Sequence, residues 1–210
     1  GVILYPIMKH LGSAGIQLLR YILIVLTIYI MYRVAMERGA TPVIAFVCIS
    51  LGLMLMSWGY TPVMRAQIFT YLFFALTIYI IEITRKSKNW HVLFWIPLIM
   101  IVWCNVHGGF LAGLGLIALY ALGDGLSGRK FVPFIIIFVA ACLVTLFNRY
   151  GIEYWKYIIH AVAMPRSDIQ EWHSVFTSLR TNVFVTPSIM FIVLSTVSLS
   201  AITTVSYTHL

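Results

Sequence analysis

The stretch WCNVHGGFLAG, residues 103–113, interrupts an apolar run with an asparagine, a histidine and a pair of glycines. Upstream stands WIPLIMIV, residues 95–102, and downstream LAGLGLIALYAL, residues 111–122. Both flanks suit the interior of a lipid bilayer, whereas Asn105 and His107 do not, because an ionisable or amide side chain in hydrocarbon is costly. The stretch therefore reads as a polar junction between two apolar helices. Gly108 and Gly109 suit it, since glycine accepts positive φ and lets another backbone come close. A turn accounts for the glycines but not for the histidine. Gly109, Gly113 and Gly115 are expected to give the following helix a smooth face for close packing.

Composition extends this reading to the whole chain. Of 210 residues, 61% are hydrophobic and 10% charged, and the mean hydropathy is +0.97. A soluble domain holds about 45–50% apolar and about 25% charged residues. One globular core cannot hide this much apolar surface, so lipid is the expected solvent. The formal net charge of +8 then marks cytoplasmic loops and not nucleic-acid binding. Cys48, Cys104 and Cys142 each lie in apolar runs without metal-ligand spacing and read as small core residues.

Polar punctuation divides the chain into seven apolar runs: residues 13–32, 42–58, 68–83, 90–104, 109–122, 131–147 and 184–203. The expected fold is all-α, a polytopic membrane protein of about seven transmembrane helices, some short for a bilayer that needs about 20 helical residues. YGIEYWKYIIHAVAM, residues 150–164, has the spacing of an interfacial amphipathic helix, and GVILYPIMKH, residues 1–10, reads as the end of another. Alternate loops carry Arg33 and Arg38, then Arg85, Lys86 and Lys88, then Arg129 and Lys130. The positive-inside rule places these in the cytoplasm. The opposite loops hold SWGYTPVMRAQ, NVHGG and the long segment 148–182, so the unusual polar motifs are expected on one outer face.

Four groups of polar residues stand out there. Arg65 suits either snorkelling at a helix end or a two-pronged grip on phosphate, with Gln67 beside it as a neutral donor and acceptor. His107 can donate to a phosphate oxygen, move a proton or ligate a metal. Asn148 and Gly151 in LFNRYGIEYW read as a helix end and turn, while Arg149 can pair with lipid phosphate. MPRSDIQEWHS gathers Asp168, Glu171, Trp172 and His173. It is either a solvated loop or a place where two carboxylates bind a divalent cation or help as a base. Tyr5, Tyr60, Tyr71, Trp90, Trp95, Tyr150 and Trp155 lie near expected helix ends, and most of them read as an interfacial belt.

In order, MRAQIFTYLFFAL, IPLIMIVWCNVHGGFLAGLGLIALYALG, LFNRYGIEYWKY and DIQEWHS resemble the GT-C superfamily of bacterial multi-pass membrane glycosyltransferases, near the protein mannosyltransferase and aminoarabinose transferase families. The resemblance covers about residues 1–200. It departs from the usual pattern where Ala66 stands for proline between Arg65 and Gln67, and where Arg149 stands for proline after Asn148. It implies sugar transfer from a polyprenyl-phosphate-linked donor to an unidentified acceptor outside the cytoplasmic membrane. Arg65, Gln67, Asn105, His107, Arg149, Trp172 and His173 are then the expected binders of substrate or lipid phosphate. Asp168 and Glu171 are helpers, with a divalent cation as the one conceivable cofactor. The main acid or base in such enzymes sits in the first outer loop, which is expected upstream of Gly1 together with at least one more helix. Residues 1–204 are thus read as a partial GT-C-like membrane domain. VSYTHL, residues 205–210, resembles translated adapter sequence and is expected to be a non-native tail. The rival reading from the same composition is a transporter or lipid-handling protein with broken helices.

Overall fold

The computed structural model describes residues 4–56 and 65–164. Tyr60, Asp168, Glu171, Trp172 and His173, the apolar run at 184–203 and the tail at 205–210 lie outside these residues. Among the described residues every regular element is helical: α1 Leu4–Glu37, α2 Pro42–Met56, α3 Gln67–Ser87, α4 Trp95–Val106, α5 Phe110–Leu126, α6 Val132–Val144 and α7 Ile152–Ala163, with a 3₁₀ turn Trp90–Phe94 leading into α4. The all-α expectation agrees with this. Two helices, α1 with 34 residues and α3 with 21, are long and apolar enough to cross a membrane. The apolar helices α2, α4, α5 and α6 have 15, 12, 17 and 13 residues.

Local sequence sets the breaks. Gly12 sits at φ 61° and ψ −156° inside α1, a conformation only glycine takes cheaply. The first residues are thus a helical segment joined to α1 through a kink. The basic side chains Arg85 and Lys86 occupy the last turn of α3, where they complement the helix dipole. Asn89 then accepts a hydrogen bond from the His91 backbone N–H at 3.2 Å and starts the 3₁₀ turn.

Two apolar clusters hold the helices together. Leu23 and Ile30 of α1 pack with Ile68, Phe69, Leu72 and Ala75 of α3. The larger cluster centres on Trp103, Phe110 and Phe134, which are fully buried. Gly113 makes room for it, because a Cβ there would run into the Trp103 ring and the Met100 methyl. Gly115, expected to share that smooth face, has open space beside it instead. Trp90 and Trp155, read as belt aromatics, also pack inward. Trp90 lies edge-on to Phe134 and Trp155 edge-on to Phe110, at the margin of the core. Cys104 is buried as expected, but Cys48 is exposed on α2. Large apolar side chains also cover the outward faces, among them Val25 of α1, Phe46 of α2 and Val139 of α6.

The basic residues of the first three basic loops gather at one end of the bundle, and three acids meet them there. Arg38 donates to Glu82 at 2.5 Å and to the Tyr120 hydroxyl at 3.1 Å, and Tyr120 donates to Glu82 at 2.7 Å. Lys86 pairs with Glu37 at 2.6 Å. Arg85 pairs with the buried Asp124, which Arg129 approaches at 3.8 Å. These contacts tie the C-terminal ends of α1, α3 and α5 together.

Candidate functional site

At the opposite end lies a cavity of about 860 Å³. The N-terminal end of α3, the C-terminal end of α4, the 107–109 junction, residues 148–150 and α7 enclose it. Its polar lining comes from Asn105, His107, Asn148, Arg149, Tyr150 and Tyr154, and its apolar wall includes Leu4, Phe69, Val102 and Val106. No carboxylate is among the described lining residues. Glu37, Glu82 and Asp124 are engaged at the far end of the bundle, and Glu153 pairs with Lys156 at 2.5 Å. Arg149 is therefore a cationic group without a matching acid in the described lining.

His107 is held more tightly than a histidine in a loop needs to be. Helix α4 ends there: its backbone is extended, at φ −156° and ψ 142°, and its N–H still reaches the Trp103 carbonyl at 3.0 Å. The side-chain Nδ1 receives the Gly109 backbone N–H at 3.0 Å and lies 2.8 Å from the Thr70 hydroxyl. Thr70 Oγ1 in turn receives the Trp103 indole N–H at 3.0 Å. A backbone N–H and an indole N–H can only donate. Nδ1 must therefore present its lone pair, and the neutral ring carries its proton on Nε2. Burial acts in the same direction and pushes the imidazole below its ordinary 6.5, because it penalises the charged form.

The junction glycine belongs to this arrangement. A Cβ on Gly109 would collide with the Thr70 hydroxyl and with His107 Nδ1. The HGG sequence is thus both a turn and a fitted seat for the ring.

Asn105 and Asn148 build the walls. Asn105 Nδ2 donates to the Ile101 carbonyl at 2.8 Å and to the Phe147 carbonyl at 3.0 Å, so it ties α4 to the end of α6. Two carbonyl oxygens at these distances identify that atom as the nitrogen. Both amide protons are engaged, which leaves Asn105 its acceptor oxygen to offer the cavity. Asn148 Nδ2 donates to the Thr145 and Gly151 carbonyls at 2.7 and 3.2 Å, and its Oδ1 accepts from the Tyr150 N–H at 2.7 Å. Gly151 beside it takes φ 53°, the turn into α7 that its sequence position suggested.

Of the expected site residues, the structure brings Asn105, His107 and Arg149 to one cavity. Ala66 of the Arg65–Gln67 motif lines it, with Arg65 exposed and Gln67 half-buried on either side. No group of three potential metal ligands occurs among the described residues. Sequence reading missed Thr70, Trp103 and Tyr154. For Thr70 a signal existed: it lies one turn beyond Gln67 and repeats at Thr77 and Thr84, one face of α3. No protein-family model, curated protein or solved structure matches the chain.

Proposed function

We propose that the chain is part of an integral-membrane glycosyltransferase of the GT-C kind. Its cavity holds the phosphate of a polyprenyl-phosphate-linked sugar at the outer face of a bacterial cytoplasmic membrane. On this reading the protein is multi-pass, with the shorter apolar helices joining α1 and α3 in the bilayer and α7 lying in the interface. The observation that carries the proposal is the cavity itself. It sets Arg149 and the His107 ring beside an apolar wall, with no carboxylate in the described lining, at the end opposite the basic loops. A phosphate needs fixed donors and positive charge, and its isoprenoid tail needs apolar surface. In transfer, Arg149 and the His107 Nε2–H stabilise the charge left on the departing lipid phosphate. Arg65 and Gln67 serve at the rim. Asp168 and Glu171, alone or through a divalent cation, assist a base that activates the acceptor hydroxyl.

A lipid-handling protein that binds the same phosphate without transfer is the second reading, and the lack of a carboxylate among the described lining residues favours it. One experiment addresses both. Membranes containing the chain are given a photoreactive polyprenyl-phosphate sugar labelled in the sugar. Cross-links confined to peptides from residues 102–110 and 148–154 support the phosphate site, and cross-links confined elsewhere reject it. Release of labelled sugar from the lipid, lost in His107→Ala, supports transfer. Cross-linking without release supports the lipid-handling reading.

A further inference from the structure

Four threonines on the long helices invite comparison. Thr27, Thr77 and Thr84 are buried, and each returns its hydroxyl proton to the carbonyl one turn earlier, Leu23 at 2.7 Å, Phe73 at 2.8 Å and Ile80 at 2.8 Å. This is the ordinary way a helix satisfies a buried threonine. Thr70 shares a face with Thr77 and Thr84 but does otherwise. Its oxygen takes the Trp103 indole proton at 3.0 Å, and its other polar contact is His107 Nδ1 at 2.8 Å. Proton accounting fixes the direction. The Gly109 N–H can only donate, so Nδ1 is bare; Thr70 therefore gives its own proton to Nδ1 while its oxygen accepts from the indole.

We propose that Thr70 is a positioning residue: it locks His107 in the tautomer that carries its proton on Nε2, so that the ring meets the cavity as a neutral donor suited to a phosphate oxygen. The ligand part of this statement rests on the phosphate reading above; the tautomer part does not.

Two independent features serve this one arrangement. Trp103 is fully buried, so its indole is a fixed donor that turns Thr70 away from its own helix. Gly109 adds a second donor to the same Nδ1 lone pair at 3.0 Å, and a side chain in its place would destroy the contact. The hydrogen bonds run in one direction, from indole to hydroxyl to imidazole, and such chains polarise each member. Electron density drawn from Nδ1 makes Nε2–H the stronger donor. A metal ion needs a ring lone pair. Nδ1 has none to spare and Nε2 is protonated, so the arrangement selects an anion acceptor over a cation. Removing the hydroxyl leaves Gly109 as the one donor to Nδ1, which weakens the preference for this tautomer and lets a minor Nδ1–H form appear.

The test uses the full chain in lipid nanodiscs with ¹⁵N-labelled histidine, the His107 signals being identified by their loss in His107→Gln. Wild type is expected to show a neutral ring at pH 7.5 with an unprotonated Nδ1 and a protonated Nε2. Thr70→Val is expected to show a mixture of tautomers, and Thr70→Ser, which keeps the hydroxyl, to restore the wild-type signals. Trp103→Phe is expected to give the same mixture and stands in if Thr70→Val fails to fold. A proton on Nδ1 in wild type overturns the proposal, as does an unchanged tautomer in Thr70→Val or, in its place, Trp103→Phe. Farnesyl phosphate binding, measured on the same samples, is expected to weaken about tenfold in Thr70→Val, the scale of one hydrogen bond to a charged group, and to stay near wild type in Thr70→Ser. Wild type that shows the expected tautomer but does not bind farnesyl phosphate refutes the phosphate reading and leaves the positioning role standing.

Discussion

On the proposed reading His107 carries two obligations, and each makes a different demand on pH. As a donor it must keep Nε2 protonated; as the acceptor for Gly109 and Thr70 it must keep Nδ1 bare. Only the neutral ring does both. Its folded value lies below the ordinary 6.5, so between the two values the unfolded chain binds more protons than the folded one. Stability from this group is therefore present above about pH 6.5 and is lost as pH falls toward the lower folded value. The thermal midpoint of wild type is expected to drop more steeply below pH 6.5 than that of His107→Gln; parallel curves would contradict the buried neutral ring. Gly109→Ala is expected to cost stability at every pH, by about 1–3 kcal/mol as overpacking does, because its methyl meets Thr70 and the ring. A denaturation midpoint equal to wild type would count against the fitted seat. Nothing in HGG alone announces this seat, since its other half, Thr70, lies 37 residues away.

At the level of elements, helix ends were more legible than helix partners. Residues 103–109 read as a junction because polar groups and glycines stop an apolar period, and α4 does end at Val106. Asn148 with Gly151 read as a turn for the same reason. The Gly113–Trp103 contact was half visible: small residues on α5 suggested a close neighbour, but periodicity does not say which helix supplies it. Gly115 shows the limit, with the same residue type two positions on and nothing packed against it. Asn105 shows another. Its residue type gave no hint of its structural work, in which two protons hold the end of α6 against α4. Replacing it with aspartate removes both donors while keeping the shape. Asn105→Asp is expected to loosen the α4–α6 junction, seen as faster amide hydrogen exchange around Phe147 and Asn148. Unchanged exchange there would mean the two carbonyls do not depend on this tie.

At the scale of the whole molecule, Glu37, Glu82 and Asp124 meet the basic loops at one end of the described bundle. The basic loops were legible as a set because they alternate along the chain, but their partners were not. Glu37, Glu82 and Asp124 are far apart in sequence and meet only when α1, α3 and α5 pack. Asp124 is 3% exposed and faces Arg85, so removing its charge leaves a poorly solvated guanidinium. Breaking a buried pair from one side costs roughly 3–5 kcal/mol, and Asp124→Asn is expected to lower the thermal midpoint clearly, whereas Glu153→Gln, on an exposed pair, is expected to have little effect. Equal midpoints for the two variants would refute a structural role for the buried pair. The gathering of basic loops at that end predicts orientation. With the three native cysteines replaced by alanine, Ser87→Cys is expected to be labelled only by reagents that reach the cytoplasm, and Tyr150→Cys only from outside.

The cavity is proposed as an anion site at the outer end, and selectivity for a phosphate head group tests that central claim most directly. The purified chain in nanodiscs is titrated with farnesyl phosphate and with farnesol, which share a tail and differ in the phosphate. Farnesyl phosphate is expected to bind saturably, farnesol not to compete with it, and Arg149→Ala to weaken binding about tenfold, as loss of a charged hydrogen-bond donor does. Equal binding of the two lipids, or unchanged affinity in Arg149→Ala, would contradict the account.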